Sequence, residues 1–139
     1  VLIDLSNTTP TTGIIVPLNH AGPVSAAGIT ANTSTSLFTI SSAGVYKISY
    51  SVVAIMPDTT GESPYTFTFY VADGVTISNT YTYMQSVPLA GFPASVSTTS
   101  LFTVSSTPVN IGLYVSSDSE EVDTKLTILS CNILINKVG

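Results

Sequence analysis

Turn residues interrupt this chain at short and regular intervals, and nothing between them repeats with a helical period. Asn7 to Pro10, Ala21-Gly22-Pro23, Ser42-Ala43-Gly44, Pro57 to Pro64, Asp73-Gly74, Pro88 to Pro93, Thr107-Pro108 and Ser116 to Glu121 each break the sequence. No window carries apolar residues at i, i+3, i+4 and i+7 over ten positions. The intervening segments are rich in Thr, Val, Ile, Tyr and Phe, which suit a pleated surface and lose side-chain freedom in a helix. Several short strands separated by frequent turns specify an antiparallel sandwich or barrel, and the expectation is an all-β, antiparallel β-sandwich of about ten strands.

Individual strands can be placed. Val1 to Leu5 and Ile14 to Leu18 are short apolar segments. Ser36 to Ser41 leads through Ser42-Ala43-Gly44 into Val45 to Met56, where Tyr46, Ile48, Tyr50 and Val52 share one face opposite Lys47, Ser49 and Ser51. Tyr65, Phe67, Phe69 and Val71 alternate with Thr66 and Thr68, and Val75 to Gln85 returns across the Asp73-Gly74 hairpin turn. Val109, Ile111, Leu113 and Val115 alternate with Asn110, Gly112, Tyr114 and Ser116. One dry and one wet face is the pattern of antiparallel sandwich strands.

From Leu126 to Val138 the alternation fails. Leu126, Ile128 and Leu134 are apolar on one parity, and Leu129, Cys131, Ile133 and Ile135 on the other. Two readings fit. Either the strand is buried on both faces, the second covered by another copy of the chain, or a β-bulge near Ile128-Leu129 flips the parity once. The first reading is preferred. It makes Leu126, Ile128, Ile133 and Ile135, with Tyr46 and Tyr50 as neighbours, the expected interface between copies.

Composition then removes whole classes of function. The 139 residues fit a single domain spanning 1–139. Charged residues are 8% of the chain, with three Lys, no Arg and a net charge of −5. Such a chain cannot neutralise phosphates, so no nucleic acid partner is expected. No apolar run reaches 18 residues, so no helical membrane insertion is expected, and no signal peptide is read. With 44% hydrophobic residues, disorder is not expected either. Twenty Ser and 21 Thr suggest a hydroxyl-covered extracellular surface.

The candidate sites are sparse. His20 is the only histidine and reads as a turn residue; Cys131 is the only cysteine and reads as a buried, inert thiol. Asp118, Glu120, Glu121 and Asp123 form the single acidic cluster, and its weak candidate metal ligands are Asp118, Glu120 and Asp123. Oxygen-rich loops suit calcium, but this spacing lacks the glycine of an EF-hand loop, and a solvated connection is the simpler reading. Otherwise no cofactor is expected. Asn7-Thr8-Thr9 and Asn32-Thr33-Ser34 fit the N-glycosylation triplet, which arises by chance in a Thr-rich chain. Tyr81 and Tyr83 alternate with Thr80 and Thr82 and could form a stacking strip. No paired carboxylates, metal triad or activated nucleophile can be named, so no enzyme is expected.

The stretch Ser36-Leu37-Phe38-Thr39-Ile40-Ser41-Ser42-Ala43-Gly44-Val45-Tyr46-Lys47-Ile48-Ser49-Tyr50 resembles the signature of the C1q/TNF-like jelly-roll superfamily. Val16-Pro17-Leu18-Asn19 and Leu134-Ile135-Asn136-Lys137-Val138-Gly139 are similar to segments in the C-terminal heads of BclA-type collagen-like glycoproteins of the spore surface, the exosporium. The resemblance implies a jelly roll that forms a homotrimer with its terminal strands near the threefold axis. It implies a structural protein on a spore surface or otherwise outside the cell. It leaves a second reading open, a lectin-like module binding a surface glycan or host receptor, with calcium as a possible aid. The chain departs from the family in having no Gly-X-Y run.

Overall fold

The computed structural model describes residues 2–5, 13–18, 20, 22, 28–55, 66–73, 80–85, 93–117 and 125–139. Ten strands run in chain order: β1 (Leu2–Asp4), β2 (Ile14–Ile15), β3 (Ile29–Asn32), β4 (Leu37–Ile40), β5 (Gly44–Ile55), β6 (Thr66–Ala72), β7 (Thr82–Gln85), β8 (Pro93–Val104), β9 (Val109–Ser117) and β10 (Lys125–Lys137). One sheet has the order β1-β10-β5-β8. The other has β3-β4-β9-β6-β7, with β2 pairing β9 beyond the end of β4. Every pairing is antiparallel. The chain crosses from sheet to sheet between β1 and β2, β4 and β5, β5 and β6, β7 and β8, β8 and β9, and β9 and β10. This winding makes a jelly-roll β-sandwich, in which neighbouring strands are mostly distant in sequence.

Alternation decides what lies between the sheets. Tyr46, Ile48, Tyr50, Val52 and Ala54 of β5 face Phe67, Phe69 and Val71 of β6 and Ile111, Leu113 and Val115 of β9 across one core. The Tyr50 hydroxyl ties the sheets together. It lies 3.1 Å from the Phe69 carbonyl oxygen and 2.9 Å from the Thr82 hydroxyl, and it also donates to the Thr80 carbonyl. At the entry to β5, Gly44 has φ of +152°, and a Cβ there would strike the backbone carbonyl oxygen of Gly139. The glycine turn seen in the sequence is therefore required by close approach of the chain end to β5.

Several elements differ from expectation. The last strand lies between β1 and β5 only at Lys125 to Thr127 and pairs with β5 alone beyond that, and a bulge explains most of its two-sided apolarity. Ile128 pairs with Ala54 and Ser130 with Val53, which leaves Leu129 as the extra residue. Before the bulge Leu126 and Ile128 point inward; after it Cys131, Ile133 and Ile135 do. All six residues expected at a contact between copies therefore belong to the chain's own core. Tyr46, Tyr50, Leu126 and Ile128 are buried, and Ile133 and Ile135 are half-buried against that core. No sequence pattern announced β3 or the 12-residue β8. Of the expected return strand Val75 to Gln85, the strand β7 covers Thr82–Gln85, paired Phe69 to Thr82, which is not the register of a two-residue turn at Asp73-Gly74; residues 74–79 lie outside the described residues.

Candidate functional site

Two outward sheet faces carry the surface chemistry of the described residues. The first is the outer face of β1-β10-β5-β8. Register places Leu134, Ser49 and Thr99 in one row, Asn132, Ser51 and Ser97 in the next, and Asn136, Lys47 and Leu101 in a third. Together the first two rows line a shallow groove of about 610 Å³. Its floor is a lattice of hydroxyls, with Ser49 Oγ and Thr99 Oγ1 3.0 Å apart. Aliphatic side chains stand around it. Leu2, Leu101, Leu129 and Leu134 are 62%, 56%, 54% and 57% exposed, and each lies on this face or at the bulge that borders it. Singly exposed leucines are unremarkable; these four form a broken apolar strip, Leu2 and Leu129 toward one end of the face and Leu134 and Leu101 toward the other, with Asp4 and Lys47 also outward on it. The bulge creates part of it, because Leu129 and Ser130 are both driven outward in succession.

The second face is the outside of the other sheet, where four tyrosines form a ladder. Tyr114 of β9 stacks on Tyr70 of β6 with centroids 5.8 Å apart and rings 14° from parallel. Tyr70 meets Tyr81 at 5.7 Å, and Tyr81 stacks on Tyr83 at 6.3 Å and 11°. The inner end of the ladder is held from below. The Gly13 amide donates to the Tyr70 hydroxyl at 2.9 Å, and burial, partly offset by that bond, raises the Tyr70 pKa above the usual tyrosine value. Gly112 leaves the room that Ile15, Leu37 and Tyr114 fill, since a Cβ there would lie 2.9 Å from Ile15 Cδ1. The outer end is open: Tyr83 is 63% exposed and Tyr81 is 37% exposed. The sequence announced Tyr81 and Tyr83; Tyr70 and Tyr114 join them only through the β6–β9 pairing.

The remaining sequence candidates fall elsewhere. His20 is exposed and lines a recess of about 410 Å³ together with Pro17, Leu18, Leu129 and Cys131. Burial pushes the Cys131 thiol up to about 11, so it stays protonated and unreactive at neutral pH. The buried hydroxyl of Tyr50 is pushed up to about 12 by the same cause. Asn32-Thr33-Ser34 lies in an exposed turn after β3, where Asn32 Oδ1 accepts from the Ser34 amide at 3.0 Å and from its hydroxyl at 2.7 Å. Asn7-Thr8-Thr9 and the acidic cluster with Asp118, Glu120, Glu121 and Asp123 lie outside the described residues. Among the described residues, no three His, Cys, Asp or Glu side chains converge to hold a metal.

No family model matches the chain, and no curated protein matches it. Among solved structures, it is similar to "Xyl-CBM35 in complex with glucuronic acid containing disaccharide", a jelly-roll carbohydrate-binding module. The identity is 12% and the TM-score 0.35, over 100% of this chain and 99% of that one.

Proposed function

We propose that this chain is a non-enzymatic structural protein that assembles into a homotrimer through the outer face of the β1-β10-β5-β8 sheet. The resemblance to spore-surface heads supplies the setting, an extracellular or exosporium surface. The observation that carries the reading is the set of exposed leucines along this face, Leu2 and Leu129 toward one end and Leu134 and Leu101 toward the other, where the outward charges beside them are Asp4, two positions from Leu2, and Lys47, in the row of Leu101. Apolar groups left exposed on one face lower the free energy when a second copy covers them. The hydroxyl rows between them supply donors and acceptors that keep a buried contact satisfied.

Light scattering coupled to size exclusion tests the reading. The expected mass is three times that of one chain at micromolar concentration, falling to one chain in Leu134→Glu. A monodisperse monomer of the unaltered chain refutes it. Calcium enters the alternative reading through Asp118, Glu120 and Asp123. A calcium-dependent rise in Tm, abolished in the Asp118→Asn/Asp123→Asn double variant, would support that alternative instead.

A further inference from the structure

We infer that the open end of the tyrosine ladder, Tyr81 and Tyr83 on the outer face of the second sheet, is a binding platform for a neutral saccharide. The inference does not rest on trimer formation, which uses the opposite sheet.

Three observations converge. First, the two rings are held nearly parallel at 6.3 Å, and Tyr81 is backed by Tyr70, which Gly13 anchors. The platform is built before any ligand arrives, so little side-chain entropy is lost on binding. Second, the neighbouring outward positions in register are uncharged. Thr68 faces Tyr83 across the β6–β7 pair, and Ser116 faces Thr68 across β6–β9. A neutral ligand with both C–H and hydroxyl surface matches this mixture of ring and hydroxyl: sugar C–H groups lie on the rings, and sugar hydroxyls meet Thr68 and the phenols. Nucleobases also stack on tyrosine, but their phosphates would meet a chain of net charge −5 with no arginine.

Third, size decides between a sugar and a protein. A fully buried tyrosine hides roughly 150–250 Å². The exposed parts of Tyr81 and Tyr83 therefore offer on the order of 200 Å², well short of the roughly 800 Å² per partner that a stable protein contact needs. One or two sugar rings fit that area.

Chemical-shift mapping by NMR, with neutral gluco-, xylo- and N-acetylglucosamine-configured hexasaccharides as probes, tests the inference. The expected result is a shift of Tyr81, Tyr83 and Thr68 signals with at least one probe, with Kd between about 0.1 and 10 mM. Tyr83→Ala should weaken that binding about tenfold or more, while Tyr83→Phe keeps the ring and most of the affinity. Tyr83 is exposed, so both variants should keep the Tm of the parent. No shift with any probe at 20 mM, or equal affinity in Tyr83→Ala, overturns the inference. Either failure leaves the oligomeric state unchanged, and loss of the trimer leaves the ladder intact.

Discussion

Deleting Leu129 separates folding from assembly more cleanly than any point substitution. Ile128 pairs with Ala54 and Ser130 with Val53, so the chain without Leu129 can run straight through the bulge with no other pair changed. Side-chain parity also survives: Ile128 points inward, Ser130 outward, Cys131 inward and Ile133 inward, as now. The deletion should therefore cost no more than about 1 kcal/mol, a Tm change within about 5 °C. Suppose instead that the bulge did not set the parity. Then Ile133 and Ile135 would turn outward, and Asn132, Leu134 and Asn136 inward. Losing two half-buried isoleucines costs about 2–3 kcal/mol, and burying two amides without partners adds about 1–3 kcal/mol each. A loss of about 4–9 kcal/mol rivals the whole stability of a domain. Differential scanning calorimetry with circular dichroism distinguishes the two cases. Loss of the folded state, or a Tm drop beyond about 10 °C, refutes the bulge argument. In the same variant the outer patch is smaller by one leucine. Burying half of a leucine is worth about 1 kcal/mol per copy, so light scattering should show a weaker trimer in a chain that is still folded.

Replacing Tyr50 with Phe removes the hydroxyl shared by Phe69, Thr80 and Thr82; urea denaturation should show a loss of about 1–3 kcal/mol, because buried acceptors lose their donor. Alkaline pH should destabilise the fold. Tyr50 and Cys131 both have folded pKa values raised by burial, so their contribution is complete below the unfolded values of 10.0 and 9.0 and is lost as pH climbs toward about 12 and about 11. A Tm that stays flat from pH 8.5 to 11.5 would contradict this. Leu134→Glu places a carboxylate on the outer face at an exposed position, and should dissociate the trimer while shifting Tm by little beyond the loss of assembly itself.

Strands whose two faces differ in chemistry were legible in the sequence. In β5 and β9 most inward positions are large apolar groups, from Tyr46 to Val52 and from Val109 to Val115, so period-two alternation gave both the strand and its buried side. In β8 the inward positions are Ala94, Val96, Thr98, Ser100, Phe102 and Val104, and the outward ones are mostly Ser and Thr. The strand lies at the sheet edge and its inner side is only half-covered, so small and hydroxylated residues suffice there and the alternation fades. In β10 the signal was present but ambiguous. A bulge and a second buried face give the same apolar run on both parities, and only the β10–β5 register separates them. The tyrosine ladder was half visible for a related reason. Spacing of two marks Tyr81 and Tyr83 as neighbours, whereas Tyr70 and Tyr114 are 44 positions apart and meet through a pairing that local pattern does not encode.

The magnitude of the outer patch says what kind of assembly it can support. Four leucines about half exposed are worth roughly 4–6 kcal/mol per copy when covered. Two bodies give up about 4–15 kcal/mol of translational and rotational freedom on association. A single patch meeting one neighbour through leucines alone would be marginal. The hydroxyl rows between the leucines change that balance, because a serine or threonine covered by a neighbour keeps a hydrogen-bond partner instead of losing water. Each copy has one such face, so covering it is worth about 8–12 kcal/mol in a pair against one association and about 12–18 kcal/mol in a ring against two. The leucines alone therefore hold a pair at least as well as a ring, and a species of two chains as the largest seen on dilution from micromolar concentration would contradict the proposed trimer.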